Sequence, residues 1–500
     1  MGMDVDSMGG MDGSDFEVVV AGAGPTGLTL ACDLLRRGVR TLLVERGDRL
    51  FPGSRARELR PRTQEILDDL GVLATVRALG EPHPPLRYWT DGEPCVDRDL
   101  YEQHPGPVPR VPVWSVPQWR TQKILRTRLR ELGGDVAFGV ALTGLATTAD
   151  GVELLLTREN RTRIVHAAYA VGTDGVRGTV RAALGIARPA QAFDERPLIV
   201  ADVLADGLDR DRWHIWPGAK GGALSLCPLA CADTFRLLAR YEDEPARPDT
   251  SEEGVRQLIA DRTHLSAADV REVQWATAFR AETGLADSYR TGRVLLAGDA
   301  AHVHSPVGGQ GLDTGVQDAY NLGWKLGMVL RHGADPALLD TYESERRPAA
   351  AEAIAASTRL YRRVLLAEGE PVRWPHPVDG GYRDSRLSVD ARPDPGAGAG
   401  VVPANALRAG DRAPDAPCGH ARLHDLFRGP HFTLLSFGGV EPPPLVGLPV
   451  VTQRVHAEDR EAHQAYARRG LFLVRPDGYV GWAGEGAAGV REYVTGLGST

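Results

Sequence analysis

The sequence has little cysteine and no long apolar run. Its five cysteines are odd in number and are spread over 500 residues, which argues against a disulfide framework. No segment approaches the roughly 18 consecutive apolar residues of a membrane span. Residues 1–15 also lack the basic start and apolar core of a secretory signal. These absences predict a cytoplasmic protein in a reducing compartment, with no membrane partner.

Basic charge is not concentrated anywhere either. The chain has 58 Lys and Arg against 66 Asp and Glu, which gives a net charge of −8 and a pI near 6.0. Because the basic residues are scattered among acidic ones, we expect no nucleic-acid partner. A length of 500 residues exceeds what one hydrophobic core usually covers. We therefore expect two or three domains.

A glycine-rich loop follows the first apolar strand, residues 16–21. Its sequence, Gly22-Ala23-Gly24-Pro25-Thr26-Gly27, has G-x-G-x-x-G spacing and opens a predicted helix. A second strand then ends on Glu45, about twenty residues beyond the last glycine. In such a β-α-β unit the glycines permit a tight turn, close approach to a pyrophosphate and close helix packing, and the acid holds ribose hydroxyls. The pattern predicts a dinucleotide site.

Two further acids stand where a predicted strand ends. Asp174 lies in Gly172-Thr173-Asp174-Gly175, and Asp299 follows the apolar run at residues 294–297 and Gly298. Beyond Asp299, the glycines at 308, 309 and 311 offer unobstructed backbone N–H groups before a helix begins. Because Glu45 has the same placement at a strand end, one ligand can use all three carboxylates.

Residues 186–277 alternate polar and apolar side chains like antiparallel strands and carry no glycine-loop motif. This pattern predicts an inserted sheet. Trp213, Trp216 and Phe235 on it are our candidates for the wall of an aromatic-ligand site, although packing in the sheet core is the commoner fate of such residues. The proline-rich stretch 81–117 is expected to form excursions and edge strands.

Two pairs of residues raise the question of a metal. Cys227 and Cys231 are close in sequence, and His302 and His304 have the spacing of neighbours on one strand face. Neither pair has a further ligand nearby in the sequence, and a metal site needs more than two. We therefore predict no metal site.

With these motifs assembled, the chain resembles the class A flavoprotein monooxygenases, the para-hydroxybenzoate hydroxylase-like group. It looks most similar to the hydroxylases that tailor bacterial aromatic polyketides and carry a thioredoxin-like C-terminal domain. The resemblance rests on three segments in this order: Gly22 to Gly27 with Glu45-Arg46, Gly172 to Gly175, and Gly298-Asp299-Ala300-Ala301-His302 continuing through Pro306 to Leu312. It covers residues 16–348 well and the last hundred more loosely.

The resemblance implies an α/β protein of three parts. These are a Rossmann-like FAD-binding domain, an inserted antiparallel-sheet substrate domain, and a C-terminal thioredoxin-like α/β domain. The expected boundaries are a disordered tail at 1–15, the FAD-binding domain at 16–185 and 278–368 with its excursion at 81–117, the substrate domain at 186–277, a linker at 369–401 and the thioredoxin-like domain at 402–500.

The resemblance also implies which residues contact a non-covalent FAD. The catalytic region would be a loop beside the flavin ring, and no residue is assigned as a catalytic acid or base. That loop comprises Pro306, Gly308, Gly309, Gln310 and Gly311. The expected cofactor contacts are Gly22, Gly24, Pro25, Thr26, Gly27, Glu45, Arg46, Arg55, Gln118, Asp174, Gly298, Asp299, Pro306, Gly309, Gly311, Leu312 and Asp313.

Three positions depart from the family pattern. Asp313 stands where relatives often have Asn, Gly178 replaces a common Ser, and Gln122 replaces a common Glu. A carboxylate at position 313 near the flavin would alter its electronics unless it is protonated or turned away. These departures affect the details of flavin orientation rather than FAD binding itself.

By the same resemblance, NADPH, or else NADH, reduces FAD, and O2 then forms a flavin 4a-hydroperoxide that hydroxylates a polycyclic phenolic or quinonoid substrate. The alternative outcome is Baeyer-Villiger insertion or oxidative rearrangement of a polyketide. A third hypothesis is a non-catalytic flavoprotein that binds a partner through its C-terminal domain. The expected partners are an aromatic small molecule and, for assembly, none or a second copy of the chain.

Overall fold

The computed structural model describes most of the chain, and the account below is confined to that part. The predicted tail at 1–15 and three residues of the predicted flavin-proximal loop, Pro306 to Gly308, lie outside it. The described residues are 16–98, 111–242, 248–305, 309–365, 380–392, 407–466 and 468–497.

Residues 16–185 begin with a buried apolar strand that is followed by an amphipathic helix. Every residue of the first strand is buried, and Pro25 begins the first helix, where its fixed φ suits the helical turn and its missing N–H is not needed. The elements are β1 (Val18–Ala21), α1 (Pro25–Arg36), β2 (Thr41–Glu45), β3 (Glu58–Leu59), α2 (Pro61–Asp69), α3 (Leu73–Ala78), β4 (Glu81–Pro82), β5 (Leu86–Thr90), β6 (Glu93–Arg98), β7 (Trp114–Ser115), α4 (Gln118–Glu131), β8 (Val136–Phe138), β9 (Ala141–Thr147), β10 (Val152–Arg158), β11 (Arg161–Ala167), β12 (Tyr169–Gly172) and α5 (Thr179–Ala183).

The next part of the chain is dominated by two long strands of 16 residues each. Three shorter strands and one helix lie between them. The Ser251 side chain caps this helix by accepting a hydrogen bond from the Gly254 backbone N–H. The elements are β13 (Ala190–Ala205), β14 (Trp213–Trp216), β15 (Leu224–Pro228), β16 (Thr234–Arg240), α6 (Glu252–Arg262), β17 (Val270–Leu285), β18 (Arg290–Thr291), β19 (Val294–Leu296) and β20 (His302–Val303), with a 3-10 turn at Gly298–Ala300.

Two long helices and a small mixed sheet complete the chain. None of the helices in the described part has a stretch long and apolar enough to span a bilayer. The elements are α7 (Gln310–Arg331), α8 (Asp340–Leu365), β21 (Val389–Asp390), β22 (Pro417–Cys418), β23 (Ala421–Arg422), α9 (Leu423–Phe427), β24 (Phe432–Phe437), β25 (Val450–Arg454), α10 (Arg460–Ala465), β26 (Gly470–Val474), β27 (Val480–Gly484) and α11 (Val490–Leu497).

A six-stranded sheet carries the predicted dinucleotide motif. Its order is β18-β19-β12-β1-β2-β8, and all its neighbours are parallel except the β18–β19 pair. Because β2, β12 and β19 run in one direction, their carboxyl ends share one edge. That edge brings together Glu45, Asp174 and Asp299, as their positions after the strands predict.

An eight-stranded sheet, in the order β20-β17-β13-β16-β15-β14-β5-β6, forms the second layer. The boundary expected at residue 277 is wrong, because it falls inside β17, whose pairing with β13 continues to Gly284. The excursion at 81–117 supplies the edge hairpin β5–β6, with β5 pairing parallel to β14. The sheet is thus built from three separate parts of the chain.

The C-terminal part forms a five-stranded sheet, β21-β27-β26-β24-β25, which confirms the expected thioredoxin-like α/β fold. Most of the linker expected at 369–401 lies outside the described residues, but the described part, 380–392, is not simply a linker. Val389 and Asp390 pair parallel to Trp482 and Ala483, so this stretch contributes the outermost strand. Packing of Trp324, from α7, into the apolar core beneath the sheet joins this unit to the FAD-binding part.

Candidate active site

A cavity of about 730 Å³ opens at the carboxyl edge of the parallel sheet. Loops that are distant in sequence meet there, because β2, β12 and the β19 turn all end at this edge. Eight of the predicted cofactor contacts line it: Gly22, Gly24, Glu45, Arg46, Arg55, Gln118, Asp174 and Asp299.

The first glycine loop has the geometry that its spacing predicts. Gly22 has φ +105°, and a Cβ there would lie 2.5 Å from the Thr173 carbonyl oxygen. A Cβ on Gly27 would lie 2.0 Å from the Gly22 carbonyl oxygen. At Gly24, by contrast, a Cβ would meet nothing within 4 Å. Gly22 and Gly27 thus fix the fold of the turn, whereas the space beside Gly24 is open for a ligand.

Glu45 closes the loop from the β2 side. One of its carboxylate oxygens accepts a hydrogen bond from the Ala23 backbone N–H at 2.9 Å, and the other accepts one from the Gly47 N–H at 2.9 Å. These bonds fix the carboxylate beside the glycine turn. Each oxygen has a second lone pair for a ligand hydroxyl.

Asp174 has one carboxylate oxygen bound and one free of protein partners. Oδ2 accepts a hydrogen bond from the Val180 N–H at 3.0 Å, whereas Oδ1 is buried and has no hydrogen-bond partner among the described residues. Burial raises the pKa of this carboxyl group, although backbone N–H groups oppose the rise. A Cβ on Gly178 would lie 2.1 Å from Oδ1, so a serine does not fit here without movement of Asp174.

The inner end of the cavity combines an acid, a guanidinium and an aromatic ring. Burial raises the pKa of Asp299 and lowers that of Arg55, while the attraction between the two opposes both shifts. The Arg55 guanidinium lies 4.8 Å from the centre of the Phe51 ring, which also lines the cavity. Gln118 fixes the backbone beside Arg55, because its Oε1 accepts a hydrogen bond from the Ala56 N–H at 3.1 Å.

The segment that carries Arg55, residues 53–58, lies across one face of the eight-stranded sheet, which we call the inner face. The Ser54 N–H donates to Asp202 Oδ2 at 2.9 Å, and Arg236 donates to the Arg55 carbonyl at 2.9 Å. Asp202 and Arg236 are direct partners in the sheet register. The inner face therefore holds the backbone on which Arg55 is mounted.

The three aromatic residues proposed as a substrate wall do not share a face of this sheet. Trp213 lies on the inner face, where its ring is 4.4 Å from the Arg57 guanidinium carbon. Trp216 and Phe235 belong to the apolar core between the sheet and α6. The prediction that these two residues line the ligand site is therefore corrected: the helix-covered face needs large apolar side chains to fill its core.

The described part of the flavin-proximal loop begins at Gly309. This residue has φ +57° and caps α7, and a Cβ on it would lie 2.5 Å from Glu58 Oε2. Gln310 and Gly311 form the first turn of α7, and Leu312 packs against the main core. The contacts expected of Pro306 and Gly308 fall outside the described residues and stay predictions.

Other predicted contacts lie behind the cavity wall. Thr26 occupies the space that a Cβ on Gly298 or Gly315 would need, at 2.6 and 2.3 Å respectively. Its side chain thus packs α1 against α7 and the Gly298 turn. Pro25 begins α1 beside it. Neither residue lines the cavity, so a direct cofactor contact by either one stays a prediction.

Asp313 turns away from the cavity. Its Oδ1 accepts hydrogen bonds from the Arg60 backbone N–H at 3.2 Å and from the Thr63 hydroxyl, both at the start of α2. Burial raises the pKa of Asp313 to about 7, although Arg60 and Thr63 favour the ionised form. Asp313 therefore holds α2 against α7, and its contact with a flavin stays a prediction.

Many residues that line the cavity were not predicted as ligand contacts. Among them are Arg177, Phe51 and Gln122. Gln122 is fixed by donating to the Phe51 carbonyl at 2.9 Å. The only sequence signal for Arg177 is its place in the glycine turn after Asp174, and a single basic residue in a loop is usually solvated.

The cysteine and histidine pairs differ in their surroundings. No group of three His, Cys, Asp or Glu side chains in the described chain is arranged to hold an ion. All five cysteines are free thiols, with Cys227 buried and Cys231 exposed. His302 and His304 bond to each other, through His304 Nε2 and His302 Nδ1 at 2.9 Å.

The residues that line the cavity fit an FAD molecule in their chemistry. The open space at Gly24 admits a pyrophosphate against the N terminus of α1. Glu45 and the unpartnered Asp174 Oδ1 are acceptors for hydroxyl groups. Arg55 and Phe51 at the inner end suit a planar ring that gains charge on reduction.

Comparison with known proteins agrees with this geometry. Residues 15–357 match an FAD binding domain, and residues 406–497 match an aromatic-ring hydroxylase C-terminal domain. The chain is 41% identical over 486 residues to a flavin-dependent monooxygenase of Mycobacteroides abscessus, covering 95% of this chain and 99% of the relative. It is 35% identical to a 12-dehydrotetracycline 5-monooxygenase/anhydrotetracycline 6-monooxygenase of Streptomyces rimosus, covering 93% and 95% of the two chains.

A solved structure gives the same result. The ternary complex of aklavinone-11 hydroxylase with FAD and aklavinone superposes with a TM-score of 0.81 at 28% identity, covering 97% of this chain and 99% of that one. Fold and cavity thus define an FAD-binding oxygenase. The chain belongs to the class A flavoprotein monooxygenases, as its motifs predict, and is an FAD-dependent aromatic monooxygenase.

Proposed function

We propose that this enzyme hydroxylates a polycyclic aromatic substrate of polyketide type, with a phenolic or quinonoid ring, using NADPH or NADH as reductant and O2 as oxidant. The observation that carries the proposal is the path of residues 53–58. This segment leaves the FAD cavity at Arg55 and continues over the inner face of the eight-stranded sheet. A flat substrate bound between the sheet and the flavin ring would be in contact with both.

The relatives support the substrate class. The Streptomyces rimosus relative is named as a 12-dehydrotetracycline 5-monooxygenase/anhydrotetracycline 6-monooxygenase, and the superposed hydroxylase is a ternary complex with FAD and aklavinone. We infer a substrate of the same kind for this chain, since the matches extend over both its FAD-binding and its C-terminal parts.

FAD supplies the activation of oxygen when it is bound, and the protein has three tasks around it. The glycine loop and Glu45 hold the dinucleotide. The backbone N–H groups at the start of α7 would stabilise the charge that develops on the flavin, without a side-chain acid or base. Phe51, which lines the cavity, packs edge-on against Trp275 at 5.2 Å between ring centres and would help to exclude water there.

The test is a reduction and turnover experiment on purified protein loaded with FAD. Anaerobic reduction by NADPH and by NADH is followed at the flavin absorbance band, with and without anhydrotetracycline or aklavinone as aromatic probes. We expect a probe to accelerate reduction by at least tenfold with one nicotinamide. After ¹⁸O2 is admitted, the product should gain one labelled oxygen.

Product structure separates the proposed hydroxylation from its alternative. Hydroxylation retains the carbon ring and adds a phenolic or carbinol group, whereas Baeyer-Villiger insertion gives a lactone of the same mass, so the product is read by NMR. A lactone or rearranged skeleton would replace hydroxylation by the second outcome. Bound FAD with no response to any aromatic probe would overturn the proposal in favour of a non-catalytic role.

A further inference from the structure

A buried hydrogen-bonded chain ends beside the flavin-proximal loop. His302 Nε2 lies 2.5 Å from Asp318 Oδ2, and His304 Nε2 lies 2.9 Å from His302 Nδ1. Arg346 donates to the other Asp318 oxygen at 2.8 Å, and the Gly298 N–H donates to Asp318 Oδ2 at 3.1 Å. The chain therefore links α8 and α7 to the strand that precedes the loop.

The proton positions in this chain follow from its acceptors. Burial favours the neutral form of Asp318, but His302 and Arg346 outweigh burial and hold its pKa below the usual value. As a carboxylate it only accepts, so His302 Nε2 carries a proton. In neutral His302, Nδ1 then accepts from His304 Nε2–H. His304 Nδ1 is left as an acceptor, and it is buried with no partner among the described residues.

His304 and Asp299 both lie beside the same glycine at the start of α7. The point where Gly311 would carry a Cβ lies 3.7 Å from His304 Cδ2 and 3.9 Å from Asp299 Oδ1. Asp299 lines the cavity. Because Gly311 has no side chain, nothing on that residue stands between the imidazole and a ligand at the α7 N terminus.

We propose that His304 Nδ1 is the entry point of a proton relay, His304–His302–Asp318, that takes up one proton when FAD bound at this site is reduced. The proposal rests on the proposed FAD-dependent function. It goes beyond that function by giving three protein side chains a role in balancing the negative charge of the reduced flavin.

The relay balances the charge of reduction. Hydride transfer from the nicotinamide delivers two electrons and one proton to the flavin and leaves one added negative charge. A proton from solvent then bonds to His304 Nδ1, the Nε2 proton of His304 passes to His302 Nδ1, and the positive charge rests on His302 beside Asp318. One N–H bond forms at each Nδ1, and the His304 Nε2–H bond breaks.

The charged surroundings favour a neutral resting state that gains a proton only in response to a nearby anion. Burial lowers the pKa of His304 well below its usual value, and positive charge on His302 or Arg346 acts in the same direction while Asp318 opposes it. Asp299, on the cavity side, has a pKa raised by burial. A negative charge that appears on the flavin raises the pKa of His304 and draws in the proton.

The test measures the midpoint potential of bound FAD against pH from 6 to 8, in mediator dyes without substrate. We expect the wild-type potential to fall with pH twice as steeply as that of His304→Gln, because two protons rather than one accompany two electrons. His332→Gln, an exposed histidine beyond the end of α7, is the matched control and should keep the wild-type slope.

Equal slopes in wild type and His304→Gln would overturn the relay. If the variant fails to bind FAD, an indicator dye counts the protons taken up when wild type is photoreduced. Two protons with the spectrum of an anionic reduced flavin support the relay. Uptake of one proton excludes the relay, and so does uptake of two protons with the spectrum of a neutral reduced flavin. A wild-type protein that binds no FAD would instead contradict the proposed function.

Discussion

Asp313 Oδ1 accepts a hydrogen bond from the backbone N–H of Arg60 at 3.2 Å, so a residue of the flavin-loop helix caps a different helix. The start of α2 has no cap from its own N-cap side chain, since Arg60 provides none. Asp313 supplies the missing acceptor across 253 residues of sequence. Asp313 as a whole is 3% exposed, and its buried carboxyl group joins α2 to α7.

Asp313→Asn should change how stability depends on pH. Burial raises the pKa of Asp313 to about 7 in the folded protein, above its unfolded value, so the folded state binds more protons. Wild-type stability should therefore fall as pH rises toward 7, relative to the variant. Between pH 5.5 and 8.5 we expect a relative change of about 2 kcal/mol in the free energy of unfolding. Urea titrations at both pH values measure it, and parallel profiles would contradict it.

Gly24→Ala should separate cofactor binding from folding. Gly24 has φ −71° and open space around its missing Cβ, so alanine should alter apoprotein stability by about 1 kcal/mol or less. A methyl group at the pyrophosphate position should weaken FAD binding by at least tenfold, as measured by flavin fluorescence titration. Gly218→Ala, also in open space but at an exposed turn, is the control and should bind FAD normally.

Gly27→Ala should instead damage the fold. Its Cβ would lie 2.0 Å from the Gly22 carbonyl oxygen, which is a backbone atom that cannot turn aside. We expect a loss of roughly 3 kcal/mol or more in apoprotein stability, in the range of severe overpacking. A variant as stable as Gly24→Ala in the same urea titration would argue against the close packing of α1 on the glycine turn.

Adjacent residues of β16 should differ in effect because they face opposite ways. Arg236→Met removes the bond to the Arg55 carbonyl, so FAD affinity should fall roughly tenfold, or about 1.4 kcal/mol. Phe235 lies in the core under α6, so Phe235→Leu should lower the free energy of unfolding by about 1 kcal/mol without changing the dissociation constant for FAD. Fluorescence titration and urea unfolding are measured on both variants. Equal effects on FAD binding would contradict the assignment of faces.

Glu345→Gln should weaken the attachment of the C-terminal unit. The buried Glu345 carboxylate lies 2.7 Å from both Lys325 and Arg475, which belong to α7 and the C-terminal unit respectively. Removing the Glu345 charge leaves the buried Lys325 and Arg475 cations without this anionic partner, which should lower the free energy of unfolding by about 3 kcal/mol. Glu441→Gln breaks an ion pair in which the acid is 76% exposed, so it should cost less than about 0.5 kcal/mol. Similar losses in urea unfolding would count against this role.

The glycine turn and its acid were predictable because their causes are local. A side chain at Gly22 would collide with the Thr173 carbonyl, and one at Gly27 would collide with the Gly22 carbonyl. Glu45 is the last residue of β2. The meeting of Asp174 and Asp299 was also predictable, since parallel strands place equivalent ends at one edge. Family, fold class and FAD binding followed from these motifs and are confirmed.

The faces of the inserted sheet were not predictable in the same way. Side chains on a strand alternate between its two faces, so Trp213 and Trp216 point to opposite faces of the sheet. The alternation does not say which of these faces meets the flavin and which meets α6. The strand at Val389 was also missed, because two residues in a polar, proline-rich stretch become a strand only by pairing with β27.

The sequence by itself determined the dinucleotide turn, the edge at which the three acids collect, and the family. These depend on glycine conformation and on strand direction, which neighbouring residues impose. The tertiary structure alone decided that Asp313 caps α2, that residues 53–58 rest on Asp202 and Arg236, and that His304 ends a buried relay. The first two join residues at least 148 positions apart, and the relay joins a short strand to the next helix, so only the packing of whole layers brings these partners within hydrogen-bond distance.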